Sequence, residues 1–132
     1  MINSQVLSFI GKLDLIEDIV MEEYSQQIIV AKEFSECPGA RSKKDGDFSG
    51  EEFLNDILIP KFEKVKDIKN ALLLVDLDNV EGYATSFLEA AFGGLARIYL
   101  REEIMDHLRF KCNDEPLLER EIKQYIQDAR KK

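Results

Sequence analysis

The chain reads as one α/β fold, and three features predict it. Residues 72–77 form a nearly continuous apolar run ended by acidic side chains, the pattern of a strand buried on both faces of a sheet. Ser49 stands three residues before Glu52, the capping-box spacing that opens a helix. Strand-like and helix-like segments alternate from Gln26 onward, which argues for a sheet covered by helices in two or three layers.

Each element follows in order. Ile2, Val6, Ile10, Leu13, Ile16 and Val20 keep close to helical spacing but are interrupted by Gly11, and Asp14 with Glu17 suits a second start, so residues 1–24 read as a short helical extension ahead of the domain at 25–132. Ile28, Ile29 and Val30 lie in a β-rich run over residues 26–34 that enters a loop at Pro38 and Gly39. Residues 35–47 are polar and glycine-containing, with Arg41, Lys43 and Lys44 as a basic group, and read as a long exposed loop. The helix opened by Ser49 should run over residues 50–66, with Phe53, Leu54, Ile57, Leu58, Phe62 and Val65 as its apolar stripe and a kink at Pro60. After the central strand, a turn over residues 78–83 leads to a helix over 84–98 and an amphipathic piece over 101–108. A short strand near 109–112 and a last helix over 116–130, with Pro116 suited to its first turn, complete the chain.

Composition narrows the function classes. Of the 132 residues 45% are hydrophobic and 33% charged, the balance of a packed protein. Eighteen basic against 26 acidic side chains leave a net charge of −8, which repels phosphate backbones and anionic lipid, so neither nucleic acid nor membrane is an expected partner. No apolar run approaches the roughly 20 residues that cross a bilayer, and no basic-then-apolar leader opens the sequence. A cytoplasmic location is expected, with Cys37 and Cys112 as free thiols. Two distant cysteines and one histidine, His107, lack the paired spacing of a zinc or redox site, so no metal or other cofactor is expected.

The short motifs are weighed against plainer readings. Asp76 and Asp78, in the phrase running from Leu72 to Val80, look like the first motif of haloacid dehalogenase-type phosphatases, where one aspartate is a nucleophile and the next an acid/base beside magnesium. That chemistry also needs a lysine and a further acidic pair on later strands, and no later segment reads as carrying them. The plainer expectation is that Asp76 and Asp78 end a strand and cap a turn. Gly93 and Gly94 lie inside a helical pattern without a following Lys-Ser/Thr pair, so close helix-to-sheet packing is expected there instead of a phosphate loop. His107 reads as a surface or boundary residue.

One phrase is more specific. The residues from Asp76 to Leu95, DLDNVEGYATSFLEAAFGGL, closely resemble the signature of the STAS-like family of unknown function known as DUF4325. Pro38-Gly39-Ala40-Arg41 and the stretch from Asp45 to Phe53 resemble that family's loop and first helix, and Asn113-Asp114 falls near the end of its last strand. The resemblance spans roughly residues 26–125 and implies a mixed sheet covered by helices.

STAS domains are best known as anti-sigma-factor antagonists, so the resemblance implies a regulatory domain without an active site of its own. Its implied partner is an ATP-binding histidine-kinase-like or anti-sigma-type protein. In those antagonists a kinase phosphorylates the first serine of a helix start after the central strand, and Thr85 occupies that place here, with Ser86 next. Ala84 stands where they have an aspartate and Phe87 where they have a glycine. The plainer reading makes Thr85 or Ser86 the helix N-cap. The implied partner-binding residues are Asp78, Glu81, Thr85, Ser86 and Arg41. A structural subunit of a larger assembly, with residues 1–24 as a homo-oligomer contact, is the remaining alternative.

Overall fold

The computed structural model describes residues 24–130, so the two helices expected before Tyr24 lie outside the described residues. Three strands, β1 (Gln26–Ile29), β2 (Leu73–Asp76) and β3 (Leu108–Lys111), form a sheet in the order β1-β2-β3. The central strand is therefore the one read from the apolar run. Both pairings are parallel, so the mixed sheet implied by the resemblance is parallel throughout among the described residues. Gln26, Leu73 and Leu108 align across the sheet, as do Ile28, Val75 and Phe110. Because side chains alternate along a strand, these residues share one face.

Parallel neighbours need long crossovers, and helices fill them. Helix α1 (Val30–Glu33) follows β1 without a break, which shortens the expected strand, and a 3-10 turn (Lys43–Asp45) lies within the expected loop. Helix α2 spans residues 50–63 and α3 residues 85–96; α4 (Arg101–His107) leads into β3, and α5 (Leu118–Asp128) ends the fold. One core joins Ile28, Leu73 and Val75 of the sheet to Phe53, Phe87, Phe92, Ile122 and Ile126 of the helices.

The capping box at α2 forms in a shifted version. Ser49 Oγ accepts the Glu52 N–H at 3.0 Å, but the Glu52 carboxylate accepts the N–H of Phe48, one residue before the cap. The disturbance expected at Pro60 is taken up one turn earlier. Proline has no N–H and its ring crowds the carbonyl four residues back. Residues Leu54–Leu58 relieve this as a widened π turn, in which Ile59 N–H reaches Leu54 O.

Two glycines set how closely α2 and α3 approach. A Cβ on Gly50 would lie 2.4 Å from the carbonyl oxygen of Phe87, and one on Gly94 would lie 2.6 Å from Leu54 Cδ2. The close packing expected near Gly94 is thus helix against helix and not helix against sheet. Gly93 meets only side chains, those of Glu89 and Arg97.

Two further expectations need correction. His107 is buried, its Nδ1–H donating to the Ala71 carbonyl at 2.7 Å, and so ties the end of α4 to the chain entering β2. The central strand is not buried throughout: Leu73 and Val75 are fully buried, but Leu74 between them is only partly so.

Replacing Ser49 with alanine should lower stability by about 1 kcal/mol, the usual cost of an N-cap. Gly50→Ala should cost more, about 1–3 kcal/mol, although alanine is the better helix former, because the atom it meets is backbone and cannot turn aside. Urea unfolding followed by circular dichroism measures both, and a Gly50→Ala protein as stable as the native one would contradict the helix approach described.

Candidate functional site

The C-terminal edge of a parallel sheet is where open α/β folds most often place their ligands. Here two loops are clasped across that edge. Leu77 N–H bonds to Lys111 O at 2.8 Å and carries the β2–β3 ladder one step further. Asp114 N–H donates to Asp78 Oδ1 at 2.9 Å, and Asn79 N–H donates to Asp114 Oδ2 at 2.8 Å. Asn79 sits at φ 66°, a left-handed conformation that asparagine tolerates better than most residues. Asp76 Oδ1 accepts the N–H of Asp78 at 3.0 Å, and Asp76 Oδ2 lies 3.8 Å from Lys111 Nζ. Both aspartates are more than nine-tenths buried.

These contacts describe what Asp76 and Asp78 do within the fold. A lysine does stand beside the first aspartate, at the end of β3 where the sequence showed none, and Asp114 follows on the next loop. Yet Asp78 Oδ1 and Asp114 Oδ2 are both engaged by backbone N–H groups of the opposite loop. Among the described residues no group of three or more His, Cys, Asp or Glu side chains is placed to hold a metal ion. The aspartates end the strand and brace the turn. Tyr83 completes the brace by donating its hydroxyl to Leu77 O at 2.9 Å, and its phenol is pushed up, first by burial and then by the charges of Asp76 and Asp78.

Helix α3 starts directly beyond this brace. Its N-cap is Ala84, which has no side chain able to cap, and Thr85 and Ser86 occupy the first two helical positions. The expectation that one of them is the N-cap is therefore corrected. Thr85 is exposed and Ser86 half-buried, while Phe87 and Leu88 point into the core. The loop at 35–48 lies alongside: Glu81 N–H donates to Glu36 O at 2.8 Å, and Gly39 N–H to Phe48 O at 2.7 Å. Phe48 stays 42% exposed, with its ring edge on Phe34. The Cys37 thiol is pushed up, chiefly by its hydrogen bond to the Glu81 carboxylate, and so resists forming thiolate.

Arg41 reaches the same helix one turn on. Its guanidinium donates to Glu89 Oε1 at 2.6 Å, and Arg97 donates to Glu89 Oε2 at 2.9 Å. Glu89 is four residues beyond Thr85, so Arg41 and the hydroxyl pair occupy successive turns of α3. Of the residues singled out in the sequence, Glu81, Thr85, Ser86 and Arg41 thus gather around the start of α3, while Asp78 is turned inward as a brace. Glu89, Arg97, Lys111 and Asp114 were missed. Glu89 and Arg97 are eight residues apart, about two helical turns, and that pairing was available in the sequence. The Arg41–Glu89 contact spans 48 residues and left no local sign.

Among the described residues a small parallel sheet packs against its helices, which makes this an α/β domain. The family model described as the STAS-like domain of unknown function (DUF4325) matches residues 49–118, more than half of the chain, and the chain belongs to that family. The match contains α2, β2, α3, α4 and β3; residues 26–48 and 119–125, included in the wider resemblance, lie outside it. Neither a curated protein nor a solved structure matches the chain. No helix among the described residues is long and apolar enough to cross a membrane.

The two arginines hold the Glu89 carboxyl below its ordinary value of 4.5, Arg97 first, against the opposing effect of burial. A lowered folded value means the stabilisation is full above the unfolded value and is lost as pH falls through the folded one. Glu89→Gln should therefore lower stability at neutral pH by no more than about 1 kcal/mol, since both arginines are partly exposed. It should also flatten the decline below about pH 4.5, which urea midpoints measured from pH 7 to pH 3 will show.

Proposed function

We propose that the domain is a non-enzymatic regulatory module that binds a protein partner through the surface at the start of α3. The observation that carries this reading is the bare N-terminus of α3: the N-cap is an alanine, and Thr85 stands exposed at the first helical position. Free N–H groups and the helix dipole favour negative charge there, so a phosphate on Thr85 or Ser86 would be stabilised. The surface is held in place from three sides, by the Asp78–Asp114 clasp, by the Glu36–Glu81 contact and by Arg41 on Glu89. Phe48 and Glu81 form its exposed rim.

In this reading, which the family resemblance suggests, the partner is an ATP-binding histidine-kinase-like or anti-sigma-type protein and Thr85 or Ser86 is the phosphorylated switch. The net charge of −8 argues against nucleic acid and anionic membrane as the target. Asp76 and Asp78 act in this reading as braces. No turnover of an aryl phosphate with magnesium is expected, and turnover abolished by Asp76→Asn would overturn the non-enzymatic assignment.

The direct test recovers the partner from the source cell by pull-down and titrates it against variants, with circular dichroism as the folding control. Thr85→Asp and Ser86→Asp should weaken the complex at least tenfold by placing a charge in the interface, whereas Thr85→Ala should bind as the native chain does. Unchanged affinity for both aspartate variants would remove this surface from the mechanism.

A further inference from the structure

A groove of about 530 Å3 lies between α2 and α3, beside the Glu89 clamp. Its floor is apolar, made by the buried residues Leu54, Ala90 and Gly94, and Ile98 stands at its rim 50% exposed. Arg41 and Arg97 line the same groove. The volume falls in the range of about 300–1,000 Å3 that ligand sites commonly have.

The two arginines have donors to spare. A guanidinium carries five N–H groups in a fixed fork. Arg41 gives one of them to Glu89 Oε1, and its side chain is 51% exposed. Arg97 gives one at 2.9 Å and a second at a long 3.4 Å. Both oxygens of Glu89 are thereby engaged, while most of the guanidinium donors have no protein acceptor among the described residues. The other carboxylate at the groove, Glu51, accepts the Lys43 N–H at 2.9 Å. Glu89 also demonstrates that the pair of forks fits a carboxylate, because it already holds one. Spare forked donors beside an apolar floor select an occupant that carries a carboxylate next to an aliphatic group.

We propose that this groove receives an acidic segment of the partner protein, with a carboxylate on Arg41 and Arg97 and a neighbouring aliphatic side chain on Leu54, Gly94 and Ile98. The inference rests on the reading of α3 as a partner surface for one point, that the occupant belongs to a protein. The groove continues that surface along the same helix, from Thr85 through Glu89 to Ile98. An acidic segment seated here would be repelled by negative charge added at Thr85, one turn before Glu89. The net charge of −8 opposes an acidic partner only at long range and is screened within about 8 Å at physiological salt, so the arginines decide the contact.

The test titrates the full chain, 15N-labelled, with the blocked peptide Ac-Leu-Glu-Glu-Leu-amide. Saturable shifts should centre on the amides of Arg41, Leu54, Ala90, Gly94 and Ile98, with a Kd on the order of 1 mM. The glutamine counterpart Ac-Leu-Gln-Gln-Leu-amide and the serine counterpart Ac-Ser-Glu-Glu-Ser-amide should each bind about tenfold more weakly. Arg41→Gln and Ile98→Ser should weaken the acidic peptide by a similar factor, whereas Lys123→Gln and Leu117→Ser, on exposed positions of the last helix and the residue before it, should not. The inference is overturned if no saturable shifts appear at the groove, if sodium acetate or the glutamine peptide binds as well, or if groove and off-groove variants behave alike. The recovered partner separates this inference from the α3 reading. A complex weakened by Thr85→Asp but untouched by Arg41→Gln and Ile98→Ser would sink the groove alone, and the reverse pattern would keep the groove and remove the start of α3.

Discussion

Phe53 lies in the first turn of α2 with no exposure to solvent, and the rings of Phe34, Phe87 and Phe92 stand around it at centroid distances of 5.2, 5.8 and 6.2 Å. Through these contacts one residue joins the segment after β1 to both major helices. Phe92 passes the packing on to Phe110 of β3 at 5.7 Å, and Phe34 carries it outward to Phe48 at the surface. Truncating such a ring typically costs about 3–5 kcal/mol, comparable with the whole stability of a small domain. The placement of α3, and with it the placement of Thr85 and Ser86, depends on this string of rings.

The glycines at 50 and 94 make that packing possible. Aromatic side chains between two helices need the helices to meet elsewhere at nearly bare backbone, and Gly50 against Phe87 and Gly94 against Leu54 supply those meetings. Each helix also contains a widened turn, Leu54–Leu58 in α2 and Glu89–Gly93 in α3. In α2 the cause is Pro60. In α3 the widened turn holds Glu89, the carboxylate on which Arg41 and Arg97 converge, so the irregular turn and the ionic clamp share one place.

The acidic end of the central strand illustrates how similar residues serve different ends. Asp76 and Asp78 resemble a phosphoryl-transfer motif in one dimension, and Asp114 joins them at the sheet edge. In three dimensions two of these carboxylates accept backbone N–H groups from the loop opposite, and Asp76 accepts the N–H of Asp78 beside Lys111. A loop buried at a sheet edge must satisfy its backbone groups, and these side chains do so.

What the sequence by itself determined is whatever depends on neighbours within a few residues. The apolar run of the central strand, the Ser49 cap, the amphipathic stripe of α2 and the family phrase from Asp76 to Leu95 all have local patterns, and all are found where those patterns put them. Tertiary structure alone decided the features that need distant partners. Arg41 pairs with Glu89 across 48 residues, His107 is drawn inside by the carbonyl of Ala71, Lys111 comes to stand beside Asp76, and Gly94 faces a helix where a sheet was expected. The continuous run at 72–77 could not reveal that Leu74 faces away from the helical core. Hydrophobicity records that a side chain avoids water, and only the assembled fold determines which surface it avoids water against.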